Sequence, residues 1–251
     1  MLLHLCTWTE VESYLQGSQG IIIPIGSTEQ HGPTGVLGTD AICAEKIAIG
    51  VGDIVHALVA PTINVGMALH HGAFPGTISL RPSTLMQLIH DYVISLAKTG
   101  FRSFFFINGH GGNMATLKAC FAEIYHDLEQ QPLPSPDLIR CELANWFMCR
   151  SVYTEANRLY GYSEGRHATP SEIAVTQHYF AEAVKKYPLL EPAARGYSIY
   201  SAKHFRQCYP DGRMGSNPAL ATPEAGKTLA ELAIKELSER YEKFLNQSEM
   251  P

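Results

Sequence analysis

The sequence predicts an α/β fold: a three-layer α/β/α sandwich with a mostly parallel sheet, formed by residues 1–251 as a single domain. Three observations carry this. Short β-branched or aromatic runs, Ile21-Ile22-Ile23 and Phe104-Phe105-Phe106-Ile107, read as strands buried on both faces. Helical patterns alternate with them, and glycine-rich loops follow the strand ends. The 251 residues, 45% hydrophobic and 17% charged, suffice for one such core.

Taken in order, Thr7-Trp8-Thr9-Glu10 opens a short capped helix that ends at Gly17. The first strand covers about 20–25, closed by Pro24 and Gly26, and a glycine-rich loop runs to Gly38. Asp40 sits at or near the N-cap of a helix through Ala41–Ala48. A second strand is expected from Ile54 to Ala60, ended by Pro61. A loop to Thr77 follows, with Phe74-Pro75 between Gly72 and Gly76 as a wall or lid. Arg81-Pro82-Ser83 opens a helix with Leu85, Leu88, Ile89, Tyr92, Val93 and Leu96 at 3-4 spacing, stopped by Gly100. The third strand, Ser103–Ile107, leads through a turn into a helix to about Gln130. A proline-rich connector, 131–136, precedes a fourth strand at about 138–145. Thr169-Pro170 caps a further helix, 188–218 lacks periodicity, and Thr222-Pro223-Glu224 opens a last helix to about Leu245, with a frayed polar tail.

Composition excludes several classes. Net charge is −5 with no Lys/Arg cluster, so no nucleic-acid partner is indicated. The six cysteines form no Cys-x-x-Cys pair and read as reduced thiols. No signal peptide and no run of roughly 20 apolar residues is present, so a soluble, cytoplasmic protein with no membrane partner is expected.

The chemistry gathers at strand ends. Glu29 and His31, spaced i, i+2 after the first strand, leave it on one side, as half a metal site would. Asp40 fits a cap and a ligand equally, because a carboxylate has two oxygens. Of the adjacent His70 and His71, at most one faces a site in extended backbone. His110 stands among Gly109, Gly111 and Gly112. This strand–turn–helix is also how phosphate loops are built, but the Lys-Ser/Thr ending and the Gly-x-Gly-x-x-Gly pattern are missing. Trp146 is a core residue by default, or a pocket wall beyond its strand. Glu172, in the first turn of its helix, gains about 0.3–1 kcal/mol from the helix dipole whatever else it does.

Together, Pro24–Gly32, Gly38-Thr39-Asp40, Phe74–Thr77, Asn108–Asn113, His167-Ala168 with Glu172, and Gly212–Pro218 resemble the creatininase family, in the same order along the chain. The resemblance implies a metal-dependent amidohydrolase acting on a C–N amide bond. Its substrate would be a small molecule: a cyclic amide such as creatinine, a formamide or a peptide-like amide. It implies two divalent metal ions, Zn²⁺, Mn²⁺ or Fe²⁺. Glu29, Asp40 and His110 would hold one, and His31, Asp40 and Glu172 the other, with hydroxide bridging them. Creatininase itself has an acidic ligand where this chain has Gly112, and the role passes to Glu172. His167 matches the family's catalytic histidine. His71, Trp146 and Gly111, which replaces an aromatic residue, are the implied substrate contacts. A homo-oligomer, often a hexamer, is implied as well. The alternatives are a dinuclear phosphoesterase, disfavoured because Arg166 is the motifs' one cation near the site, and a non-catalytic protein stapled by its metals.

Overall fold

The computed structural model describes residues 1–130 and 138–246. The expected connector at 131–136 and the end of the tail lie outside these. Four parallel strands, β1 (Gly20–Ile25), β2 (Leu58–Val59), β3 (Ser103–Asn108) and β4 (Arg140–Asn145), form one sheet in the order β2-β1-β3-β4.

Alternation along the strands builds two cores. Ile21, Ile23, Ile25, Phe104 and Phe106 pack on one face against α3 (Pro82–Lys98) and α4 (Asn113–Gln130). Ile22, Phe105 and Ile107 pack on the other, against α2 (Thr39–Val55), α6 (Pro170–Tyr179) and α8 (Pro223–Asn246). All six residues of β1 and of β3 are buried, so neither strand alternates in polarity. Burial of each such side chain contributes about 1.5–3 kcal/mol. This is the expected three-layer arrangement.

Helix α1 (Trp8–Leu15) forms as predicted, closed by a capping box between Thr7 and Glu10. Two expectations are corrected. Ile54 and Val55 end α2 instead of opening a strand, and β2 is only two residues long. The period of Ile47, Ala48 and Val51 carries the helix on until His56, in left-handed backbone, stops it. Ile54 lies on its exposed face. Gly38, not Asp40, is the N-cap of α2, so neither oxygen of Asp40 is spent on capping. Helices α5 (Arg150–Tyr160) and α7 (Ala202–Cys208) are additional, the latter within the segment read as irregular.

The chain goes from β1 outward to β2, then returns past β1 to β3. Loops leaving adjacent β1 and β3 therefore diverge at the carboxyl end of the sheet and open a crevice there. Glu29 and His31 leave from β1, and His110 from β3.

Candidate metal centre

Residues from four separate stretches converge in that crevice. Glu29, Asp40 and His110 form one group, His31, Asp40 and Glu172 a second, and Glu29, His31 and His167 a third. Within each group the potential ligand atoms lie within 4.8 Å of one another. Asp40 stands in two of them. Its Oδ1 lies 3.1 Å from His31 Nε2 and its Oδ2 3.0 Å from His110 Nδ1. Glu29 Oε2 lies 3.2 Å from His110 Nε2.

Backbone carbonyls orient the rings. His31 Nδ1 donates to Glu29 O at 3.1 Å, which turns Nε2 toward Asp40. His110 Nε2 donates to Met67 O at 3.0 Å and leaves Nδ1 for Asp40. Glu172 helps cap its helix and also stands beside His31. Oε1 accepts from Thr169 N across a capping box at 2.6 Å, while Oε2 stands 3.9 Å from His31 Nε2. Asn108 and Asn113 brace the loops from below. Asn108 donates to His110 O, and Asn113 donates to Gly26 O and accepts from Met67 N.

The electrostatics fit cations. Three carboxylates are sunk among imidazoles, and buried Glu29 Oε1 and Asp40 Oδ2 have no hydrogen-bond partner. The donors are oxygens and nitrogens. The nearby Cys43 thiol is pushed well up by burial and then by Glu172, so it stays protonated. Burial opposes charge on His31 and His110, but the carboxylates outweigh it, Asp40 first for His31 and Glu29 first for His110. They lift His31 to about 10 and His110 to about 9. Burial raises Glu29 to about 7, against the pull of His110. For Asp40 burial acts upward too, but His31 and His110 hold it well below the usual range.

Protons therefore occupy the cluster where cations would sit. Both imidazoles titrate higher folded than unfolded, so their contribution is complete below about 6.5 and is lost as pH rises through 9 to 10. The raised Glu29 adds a loss between 4.5 and about 7. Chelator-stripped protein is thus expected to melt at falling temperature from pH 6.5 to 10, while the metal-loaded form, whose ligands must be deprotonated, holds its Tm. Thermal melts of both forms check this; a stripped form that gains stability over that range contradicts it.

His71 is buried, with Nε2 3.3 Å from Glu29 Oε1 and its ring stacked on His167 at 4.3 Å. His70 is half-buried and stacks outside it, so His71 is the one that faces the cluster. Gly111 is exposed, with open space where a Cβ would stand. Trp146 is 1% exposed and belongs to the core beside α5 and α8. Of the two readings of it, core residue or pocket wall, the packing favours the first. Gly112→Ala would drive a methyl into His110 Nε2 and Met67 O, whereas Gly111→Ala meets nothing. We expect Gly112→Ala to cut metal affinity by about 10–100-fold and Gly111→Ala to leave it unchanged, as metal titrations would show.

Sequence reasoning missed Gln30 and Arg213. Gln30 is buried between the two motif ligands, and Arg213 is fully buried. A glutamine flanked by Glu29 and His31 was the available signal for the first.

A family model described as creatinine amidohydrolase matches residues 4–241. The chain belongs to the creatininase family. Among relatives in it, the mycofactocin precursor peptide peptidase of Mycolicibacterium smegmatis is 37% identical over 116 residues, 43% of this chain and 45% of that one. The creatinine amidohydrolase of Pseudomonas putida is 31% identical over 113 residues, 43% and 44% of the two chains. The matched stretch thus spans less than half the length of these relatives. A solved manganese form of creatininase superposes with a TM-score of 0.81 at 19% identity, covering 97% of this chain and 98% of that one, which establishes the shared fold.

Proposed function

We propose that this protein is a metal-dependent amidohydrolase that cleaves a C–N bond of a small amide or peptide-like substrate. The observation that carries this is the meeting of Glu29, Asp40, Glu172, His31, His110 and His167 in one largely buried cluster. Glu29, Asp40 and His110 would hold one divalent ion, and His31, Asp40 and Glu172 a second, Asp40 lending one oxygen to each. Zn²⁺, Mn²⁺ and Fe²⁺ all suit these donors. Such ions, when bound, supply Lewis acidity to a carbonyl oxygen and acidify water.

His167 supplies the proton transfer. Its Nε2 donates to Gln30 O at 2.8 Å, so Nδ1 faces Glu29 Oε1, 3.8 Å away, as a bare nitrogen. Burial, and then His31, lower this ring well below 6.5, so it stands neutral and ready to accept. Nδ1 takes a proton from the attacking water and returns it to the leaving nitrogen. A cavity of about 700 Å³, lined by Tyr153, Tyr162, Glu164, Arg195 and Tyr197, reaches Ser171, the neighbour of Glu172 in the chain.

No described helix is long and apolar enough to cross a membrane, and all six cysteines are free, which supports a cytoplasmic setting. A homo-oligomer completes the reading, and native mass measures it. The deciding experiment is elemental analysis of protein purified without added metal, then a screen of cyclic amides, formamides and short peptides. Hydrolysis of one class, lost with chelator and restored by Zn²⁺ or Mn²⁺, is expected. Loaded protein that hydrolyses none of the three, or a phosphate ester instead, rejects the reading.

A further inference from the structure

The side chain of Gln30 joins two backbone groups to two histidine rings at the edge of the centre. Its Oε1 accepts from Gly32 N at 2.9 Å, and its Nε2 lies 3.0 Å from Gly212 O. The first contact requires an oxygen and the second an N–H, so the two backbone groups fix which end of the amide is which. Gly212 also has a left-handed φ of 84° and no room for a Cβ beside this amide, so the segment carrying it is seated on Gln30.

One N–H of Gln30 remains, with two ring nitrogens in reach: His71 Nδ1 at 2.8 Å and His167 Nε2 at 2.9 Å. His167 Nε2 also stands 2.8 Å from Gln30 O, a carbonyl that only accepts. That nitrogen must carry a proton and cannot take another. The remaining N–H of Gln30 therefore goes to His71 Nδ1, and the proton of neutral His71 sits on Nε2, 3.3 Å from Glu29 Oε1.

We infer that Gln30 is a positioning residue that fixes the tautomer of His71 through its amide and the orientation of His167 through its carbonyl, so that His71 turns an N–H and His167 its Nδ1 toward the same oxygen, Glu29 Oε1. His71 Nδ1 can accept the amide N–H only when it carries no proton, so this contact itself assigns the His71 proton to Nε2. Side by side at a ring separation of 4.3 Å, the two histidines are held differently: His71 is bonded through Nδ1 to the Gln30 amide, and His167 through Nε2 to the Gln30 carbonyl. The catalytic consequence rests on the amidohydrolase reading above; the tautomers do not.

The test reads the tautomers directly. Metal-free protein labelled with ¹⁵N at the histidine rings is examined by long-range ¹H–¹⁵N correlation, the signals of His71 and His167 being assigned by their loss in His71→Gln and His167→Gln. Both rings are expected to carry hydrogen on Nε2, and His71 none on Nδ1. In Gln30→Glu, which keeps the shape but replaces the donor by an acceptor, the His71 proton moves to Nδ1. In Gln30→Met, which removes both, His71 becomes a mixture. In the loaded enzyme, Gln30→Met lowers turnover by about 10–100-fold at unchanged metal content. Wild-type His71 protonated on Nδ1, or tautomers unmoved in both variants, overturns the inference. The tautomer result needs no substrate to be known. Failure of the amide screen alone therefore leaves it standing.

Discussion

Asp40→Ala is expected to remove both metal ions and abolish hydrolysis. The Asp40 side chain reaches both histidines that flank it: Oδ1 stands 3.1 Å from His31 Nε2 and Oδ2 3.0 Å from His110 Nδ1. Loss of an outer partner of a metal ligand costs about 10–100-fold in affinity or activity. Loss of a ligand shared by two ions, which also leaves the ions facing each other without the charge between them, must cost more. Elemental analysis should fall from about two ions per chain to none, and Asp40→Asn, equal in shape but without the charge, should follow it. The metal-free protein carries a second signature. With Asp40 gone, His31 and His110 lose a partner that lifts their pKa values, so less of the stripped protein's stability is lost between pH 7 and 10. Retention of both ions in Asp40→Ala would reject the assignment, whatever the activity.

The fold was largely legible because strands buried on both faces cannot alternate: Ile21–Ile23 and Phe104–Ile107 announce themselves as unbroken apolar runs. The sequence erred at Ile54-Val55, where β-branched residues suggested a strand. There the helical period inherited from Ile47 and Val51 prevailed over local preference. Helix α7 was hidden because only Phe205 of its seven residues is buried, which gives no stripe to read. In the centre, Glu29, His31, Asp40, His110, His167 and Glu172 could be named because each lies at a strand end or helix start in a motif. Which atom of each residue points inward could not be read. The tautomers of His31, His110 and His167 depend on Glu29 O, Met67 O and Gln30 O, carbonyls whose position no side-chain pattern encodes. Trp146 misled for a related reason. Its place just past β4 suits a pocket wall or a core residue, and only the packing of α8 over it decides.

Arg213→Met should destabilise the protein by about 3–5 kcal/mol, the range for removing one partner from a buried ion pair. At this chain length that is a fall in Tm of about 6–20 °C. The guanidinium is fully buried and every direction of its fork is used. Nε donates to Asp211 Oδ2 at 2.7 Å, Nη1 to Ser216 O at 2.7 Å, and Nη2 to Leu190 O at 2.5 Å. Methionine fills the volume but leaves the Asp211 carboxylate, itself 9% exposed, without its cation, and strands two carbonyls. Lysine should rescue little, since a single ammonium cannot span the three directions that the planar fork serves. The damage should begin locally. Leu190, Asp211 and Ser216 are ties within the long segment before α8, and Gly212 O, beside Arg213, holds the amide of Gln30. Limited proteolysis below the melting temperature should therefore cut between 188 and 217 in Arg213→Met before wild type, and metal affinity should weaken at temperatures where the sheet is still intact. A variant that melts within about 2 °C of wild type and resists cleavage there would mean that the segment is held by its aromatic contacts, Phe205 and Tyr209 with Phe74, and not by the arginine.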